Sequence, residues 1–242
     1  ISPFAPDFPA LTSNAVCIGV DDREDAQKIV YMTPVFVGFQ LRVSYTPNGG
    51  DERHEDGVGT HVGMPDNADA ESRHNVSVYG TYELQRDSWS LIAGLGASFE
   101  GHVEQQPGDD QREQTFYQGG VNLTFGAFSI GGAFEYYDNL LSFEGGDDAD
   151  TWVAGGGLAY EFESFVLGAQ YSHQSTEVDR AGGGTDDFTM DRAVVTGIYP
   201  LGPGIDLDAE IAYTWIDTDP ESADGVDDYQ SLEIGLGTAI TF

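Results

Sequence analysis

The sequence predicts an all-β chain folded as a transmembrane antiparallel up-and-down β-barrel. Three observations lead there. Segments of strand length alternate apolar residues with polar or small ones at a period of two, the signature of a half-buried strand. The gaps between those segments alternate short and long. No run approaches the roughly 18 apolar residues of a spanning helix, although 40% of the 242 residues are hydrophobic. Barrel strands carry a far weaker hydropathy signal than spanning helices, so that absence does not count against a membrane protein.

The strand segments read as 27–34, 36–46, 75–86, 89–104, 114–125, 128–140, 150–162, 165–178, 188–199, 205–217 and 229–242. Short links fall at Arg86-Asp87-Ser88, Gly126-Ala127, Glu163-Ser164 and Pro200 to Gly204. Long polar, acidic links run from Asn48 to His74, Gln106 to Glu113, Ser142 to Ala149, Asp179 to Asp187 and Thr218 to Asp228. Tight turns at one end and long loops at the other fit a barrel with periplasmic turns and outer loops. A soluble meandering barrel has about eight strands and hides its apolar face inside.

Each strand keeps its two faces apart. In 89–100, Trp89, Leu91, Ala93, Leu95, Ala97 and Phe99 oppose Ser90, Gly94, Gly96, Ser98 and Glu100, with Ile92 the exception. In 150–162 the apolar set is Trp152, Ala154, Gly156, Leu158, Tyr160 and Phe162; in 165–171 it is Phe165, Leu167, Ala169 and Tyr171. In 205–216, Ile205, Leu207, Ala209, Ile211, Tyr213 and Trp215 oppose Asp206, Asp208, Glu210, Ala212 and Thr214. The last segment repeats the pattern up to Phe242: Leu232, Ile234, Leu236, Thr238 and Ile240 on one face, and Ser231, Glu233, Gly235, Gly237 and Ala239 on the other. The apolar faces are expected to meet lipid and the others a watery lumen, with aromatic girdles near both strand ends.

Composition narrows function. Forty-two acidic against 9 basic residues give a formal charge of −33. That excludes a nucleic-acid binder, which needs a basic footprint, and suits a cation-attracting setting. Cys17 is the single cysteine, so no intrachain disulfide forms. His54, His61, His74, His102 and His173 match no zinc spacing, and no metal or cofactor motif is read. Acidic loops such as Asp147-Asp148 and Asp227-Asp228 carry the oxygen ligands that Ca²⁺ or Mg²⁺ takes, and cations there could bridge lipopolysaccharide phosphates. No Gly-x-Ser-x-Gly element occurs. His102 beside Glu100 and Glu104 reads as a solvated lumen cluster rather than a catalytic one, so the chain is not expected to be an enzyme. Asp206, Asp208 and Glu210, with Glu100, are the candidate lumen-wall carboxylates. A row of like charges at about 7 Å spacing along one strand face raises local cation concentration.

The segment Lys28-Ile29-Val30-Tyr31-Met32-Thr33-Pro34-Val35-Phe36-Val37-Gly38-Phe39-Gln40-Leu41-Arg42-Val43-Ser44-Tyr45-Thr46-Pro47 resembles the general porins of Gram-negative bacteria, especially the alphaproteobacterial kind, with their Tyr-x-Thr-Pro, Gly-Phe-Gln and Ser-Tyr-Thr-Pro elements. The resemblance covers about residues 25–242. It implies a sixteen-stranded homotrimeric barrel in the bacterial outer membrane. The hairpin would be its sixth and seventh strands, and five strands would lie ahead of those seen here. Residues 1–26 would then be an inward-folded constriction loop, and 27–242 the barrel strands. Alternatively, Ala15 to Val20 is a twelfth strand that helps to close a smaller barrel. The resemblance further implies a constriction with the acids Asp7, Asp21, Asp22 and Glu24 on the loop and the bases Arg42 and Lys28 on the wall. The expected function is a passive diffusion channel for small hydrophilic solutes and ions that prefers cations. The alternatives are a substrate-selective channel, or a structural or adhesion barrel with a closed lumen.

Overall fold

A computed structural model describes residues 28–48, 72–102, 113–139, 147–218 and 229–240. They form one antiparallel sheet of 11 strands in strict sequence order. The strands are β1 (Ile29–Met32), β2 (Phe39–Asn48), β3 (Ser72–Gln85), β4 (Trp89–His102), β5 (Gln114–Phe125), β6 (Phe128–Asp138), β7 (Asp148–Glu161), β8 (Val166–Asp179), β9 (Thr185–Gly202), β10 (Ile205–Thr218) and β11 (Tyr229–Ile240). Every sequential pair is hydrogen-bonded, which is the up-and-down order expected from the alternating gaps. Among the described residues, β1 and β11 pair on one side only.

Several boundaries differ from the alternation reading, most clearly those of β1 and β9. β1 stops at Met32, not at residue 34, because Pro34 has no N–H to give the ladder. Thr33 covers the break: its N–H donates to Leu41 O at 2.9 Å, and its Oγ1 accepts from Leu41 N at 3.0 Å. The chain then reverses through Phe36-Val37-Gly38-Phe39, with φ of 51° at Val37 and 86° at Gly38. Positive φ at both central residues is the turn form that matches strand twist. A Cβ on Gly38 would lie 2.1 Å from the Glu83 carbonyl oxygen, so glycine is required there. β9 is longer than its predicted 188–199 span. At one end the link from β8 contracts to five residues, 180–184, with φ of 87° and 107° at Gly183 and Gly184. At the other end Pro200 stays inside the strand, opposite Asp206, where the register shifts; proline within a sheet is confined to such irregular places and edges.

The polarity of the sheet is inverted relative to a water-soluble protein. The small buried apolar set is Phe116, Tyr137, Val153, Ala159, Val194 and Ala212, whereas Thr46, Asn75, Ser98, Glu100, Gln118, Thr151, Gln174, Arg192, Thr196 and Thr214 are buried too. Meanwhile Leu95, Val121, Ile130, Phe134, Leu158, Leu167, Val195, Ile211, Ile234 and Leu236 are exposed; Leu95 keeps 72% of its surface accessible. The sheet therefore curls with its polar face inside. The inward face bends tightly where side chains are missing: the Tyr79 ring lies where a Cβ on Gly96 would sit, 2.0 Å from its Cδ1.

Aromatics band the outward face. At the short-turn end, Trp89, Phe125, Phe128 and Tyr160 are successive register partners across β4 to β7. Toward the loops, Tyr117, Tyr136 and Trp152 form a second row across β5 to β7. Amphipathic rings take such positions where hydrocarbon meets headgroups.

The inverted faces predict opposite outcomes for one charge. Leu95→Arg should lower the unfolding free energy in lipid vesicles by about 2–4 kcal/mol. Asn122→Arg, on the inward face of the neighbouring strand, should change it by less than about 1 kcal/mol. Denaturant titrations followed by tryptophan fluorescence read both.

Candidate functional site

The inward wall is the surface on which polar chemistry concentrates. Hydroxyls join neighbouring strands: Ser77 and Ser98 Oγ at 2.7 Å, Thr124 and Ser129 at 3.0 Å, and Thr151 and Thr176 at 2.8 Å. Gln174 Nε2 donates to Thr176 Oγ1 at 3.4 Å, and Tyr137 OH donates to Glu135 Oε2 at 3.4 Å. Not every polar atom is served from within the chain. Among the described residues, Asn122 Oδ1, Gln174 Oε1, Thr196 Oγ1, Thr214 Oγ1 and Arg192 Nε have no protein partner. Orphaned polar groups on this scale are costly in a dry core, whereas a hydrated wall has water to satisfy them.

Asp206, Asp208 and Glu210 all take inward positions on β10. They lie opposite Pro200, Ile198 and Thr196 on β9 and Ala239, Gly237 and Gly235 on β11. The small residues of β11 leave room beside these carboxylates. Asp206 and Asp208 are half-buried. Glu210 is not a bare charge, because Arg192 Nη2 reaches its Oε1 at 3.4 Å and Glu233 Oε2 at 3.2 Å. The guanidinium is 7% exposed and ties three adjacent strands together on the inward face. Arg192 did not stand out in the sequence; the signal was its inward parity in β9 together with the register that sets it beside β10 and β11.

The remaining candidates are dispersed. Glu100 is buried on the inward face of β4, opposite Gln114 and far along the sheet from β10. Arg42 is inward on β2, between Met32 and Tyr79, and half-buried. Lys28 precedes β1 and is half-buried. Asp7, Asp21, Asp22 and Glu24 lie outside the described residues, as do Cys17, His54, His61, Glu104, the stretch 1–27 and Phe242. Among the described residues no group of three His, Cys, Asp or Glu is arranged to hold a metal ion.

At the loop end of the wall, Arg180 clamps two connections. Its Nε donates to Asp186 Oδ2 at 2.6 Å and its Nη1 to Asp147 Oδ2 at 2.8 Å. The Ala181 N–H adds a bond to Asp147 Oδ1 at 3.0 Å. That backbone donor, and then the Arg180 guanidinium, hold the Asp147 carboxyl below its ordinary range. Asp186 and Asp147 push Arg180 the other way, further up.

Comparison with known proteins agrees with this geometry. The sequence model of the Gram-negative porin family matches residues 1–219. Among solved structures, the chain is similar to the outer membrane channel DcaP of Acinetobacter baumannii. The TM-score is 0.63 and the identity 16%, over 95% of this chain and 68% of that one. It is also similar to a porin refined at 1.8 Å resolution (TM-score 0.54, 15% identity, 92% of this chain and 64% of that one). A third is the anion-selective porin from Comamonas acidovorans (TM-score 0.50, 15% identity, 88% and 57%). At such identities the likeness is one of fold. The chain spans about two thirds or less of the length of these barrels. A search of curated proteins finds no match.

The rim clamp carries a pH dependence of known sign. Because the Asp147 carboxyl is held low, its contribution is complete above the ordinary aspartate pKa of about 3.9. It is lost only as the pH falls through the lower value of the folded protein. The protection of amides in residues 180–184, their exchange rate relative to the intrinsic rate at each pH, should therefore hold from neutral to mildly acid pH and fall below that range. Arg180→Ala should already show low protection there at neutral pH.

Proposed function

The chain belongs to the family of Gram-negative porins, proteins of the bacterial outer membrane, and from that premise we propose that it forms a passive, water-filled diffusion channel for small hydrophilic solutes and ions. The observation that carries this reading is the inverted polarity of the sheet. Its outward face is apolar between two aromatic rows, and its inward face is hydroxyl, amide and carboxylate. A hydrated polar wall is what passive diffusion requires.

The channel prefers cations. Support comes from Asp206 and Asp208, which have no basic partner among the described residues, and from the −33 formal charge of the chain. Fold alone does not set the sign, since one neighbour of similar fold is anion-selective. Wall side chains support a negative sign here: Glu210 and Glu233 share a single base, Arg192, so that trio keeps one net negative charge. Arg42 and Lys28 supply the opposing charge on β2 and ahead of β1. A constriction built with Asp7, Asp21, Asp22 and Glu24, assembly as a homotrimer, contact with lipopolysaccharide, and Ca²⁺ or Mg²⁺ at the acidic loops all belong to the same proposal.

Planar-bilayer recordings under a KCl gradient give the test. The reversal potential should have the sign of cation preference. Arg192→Gln should raise the cation-to-anion permeability ratio roughly two- to threefold, as expected when the wall potential felt by a unit charge changes by about half of RT, since the cation and anion terms move in opposite directions. Anion preference in the unaltered protein, or a lower ratio in the variant, contradicts the reading.

A further inference from the structure

The turn-side half of the inner wall carries a row of carboxylates that bases answer only at one end. Asp206, Asp208 and Glu210 follow one another on the inward face of β10, each a strand step of about 7 Å from the next. Between Arg192 and the turn-side ends of the strands, β9, β10 and β11 hold no Lys or Arg. Arg192 closes the inner end of the row, where its Nη2 reaches Glu210 Oε1 at 3.4 Å and Glu233 Oε2 at 3.2 Å. Asp206 and Asp208 stand at the open end, beside the turn that joins β9 to β10.

The flanks of the row are unlike those of a hydrated ion site. Toward β9, Asp206 faces Pro200, Asp208 faces Ile198 and Glu210 faces Thr196. Toward β11 the partners are Ala239, Gly237 and Gly235. Among the described residues, a Cβ on Gly237 would meet nothing within 4 Å, and one on Gly235 would meet only the Glu210 Cβ at 3.8 Å. The carboxylates therefore border an open strip floored by backbone on one side and aliphatic surface on the other. Thr196 adds a polar group at the inner end. It is 7% exposed, and its Oγ1 has no protein partner among the described residues.

That arrangement discriminates between cations. A bound metal ion gathers several oxygens around one point, and among the described residues no group of three His, Cys, Asp or Glu is arranged to hold one. A hydrated ion would gain nothing from Ile198 and Pro200. A solute with a single ammonium would use one carboxylate and leave the others. Ammonium groups joined by short alkyl chains fit the whole row. Each takes a charge-assisted hydrogen bond to a carboxylate, and the methylenes between them cover Ile198, Pro200 and the glycine strip. We propose that the row Asp206, Asp208 and Glu210 is a binding rail for linear aliphatic polyamines. Thr196 Oγ1 accepts a hydrogen bond from the innermost ammonium. Arg192 ends the rail by holding Glu210 Oε1 and Glu233. The inference rests on the water-filled, cation-preferring channel of the preceding subsection and names a solute class that one stretch of its wall retains.

Two measurements on the folded full chain test it. In planar bilayers the ion current is titrated with 1,4-diaminobutane, butylamine or Mg²⁺ at equal ionic strength. In detergent, calorimetry follows binding of the same three without needing a current. The diamine should block saturably, with a half-saturating concentration roughly tenfold below that of butylamine or Mg²⁺. Asp208→Asn, which keeps the side-chain shape, should weaken diamine binding roughly five- to tenfold. Glu135→Gln removes an inward carboxylate on β6 and should leave diamine binding unchanged. Arg192→Gln releases Glu210 and Glu233, and should strengthen binding of the triamine spermidine more than that of the diamine. Heat-modifiable migration on gels checks that each variant is folded, and Asp206→Asn replaces Asp208→Asn if the latter is not. Absence of calorimetric diamine binding overturns the proposal; if a cation-preferring current is present all the same, the channel reading stands. Binding without any current overturns the channel reading and leaves the rail in place. Equal binding of diamine and butylamine overturns the proposal, as does a loss in Glu135→Gln as large as that in Asp208→Asn.

Discussion

The inverted polarity of the sheet is the constraint on which everything else in this molecule depends. In hydrocarbon each backbone N–H and C=O must be paired within the protein, and a sheet achieves this by pairing strand to strand. Once the ladder is continuous from β1 to β11, period-two alternation decides the rest. Residues of one parity become the lipid surface and residues of the other become a wall. A leucine at 72% exposure in the same sheet as a threonine at 0% would be a folding error in water. It is the expected result when the outer solvent is a bilayer.

That division also explains where charge is tolerated. On the inner wall Arg192 is buried yet shares two carboxylates, so its ionisation is supported from within the chain and by the hydroxyl-rich surface around it. On the outer face the one close carboxylate–imidazole pair among the described residues lies at the edge of the apolar band, with a phenol and an indole spending their polar hydrogens on it. Removing a single partner from a buried charge is more costly than never having placed it there. The outward network of Asp191, His173, Tyr171 and Trp215 is therefore complete in itself. At the rim, Arg180 fastens the Asp147 end of one connection to the five-residue turn of the next, which gives this part of the loop end a fixed shape.

Much of this was legible in the sequence, because its determinants are local. Strand count, strand order and the outward residues from Trp89 to Phe99, or from Ile205 to Trp215, follow from alternation and turn residues alone. The misplaced ends had identifiable causes: the missing N–H of Pro34 shortened β1, and a register shift let Pro200 remain in β9. The site was harder to read. The meaning of Arg192 depends on carboxylates 18 and 41 residues away, and only the cross-strand register brings them together. In β8 the apolar alternation runs only as far as Tyr171. A histidine at the next outward position looks like the end of the pattern until Asp191 and Trp215 appear on the adjoining strands.

The claim that parity assigns each residue to lipid or to water is tested most directly by single-cysteine scanning of β10 in a Cys17→Ala background. Each position from Asp206 to Tyr213 is labelled in turn with a spin probe in reconstituted vesicles, and its relaxation by oxygen and by a water-soluble nickel chelate is compared. The account predicts strict alternation, with Leu207, Ala209, Ile211 and Tyr213 relaxed by oxygen and Asp206, Asp208, Glu210 and Ala212 by the chelate. A uniform profile along the strand, or the opposite phase, would contradict it.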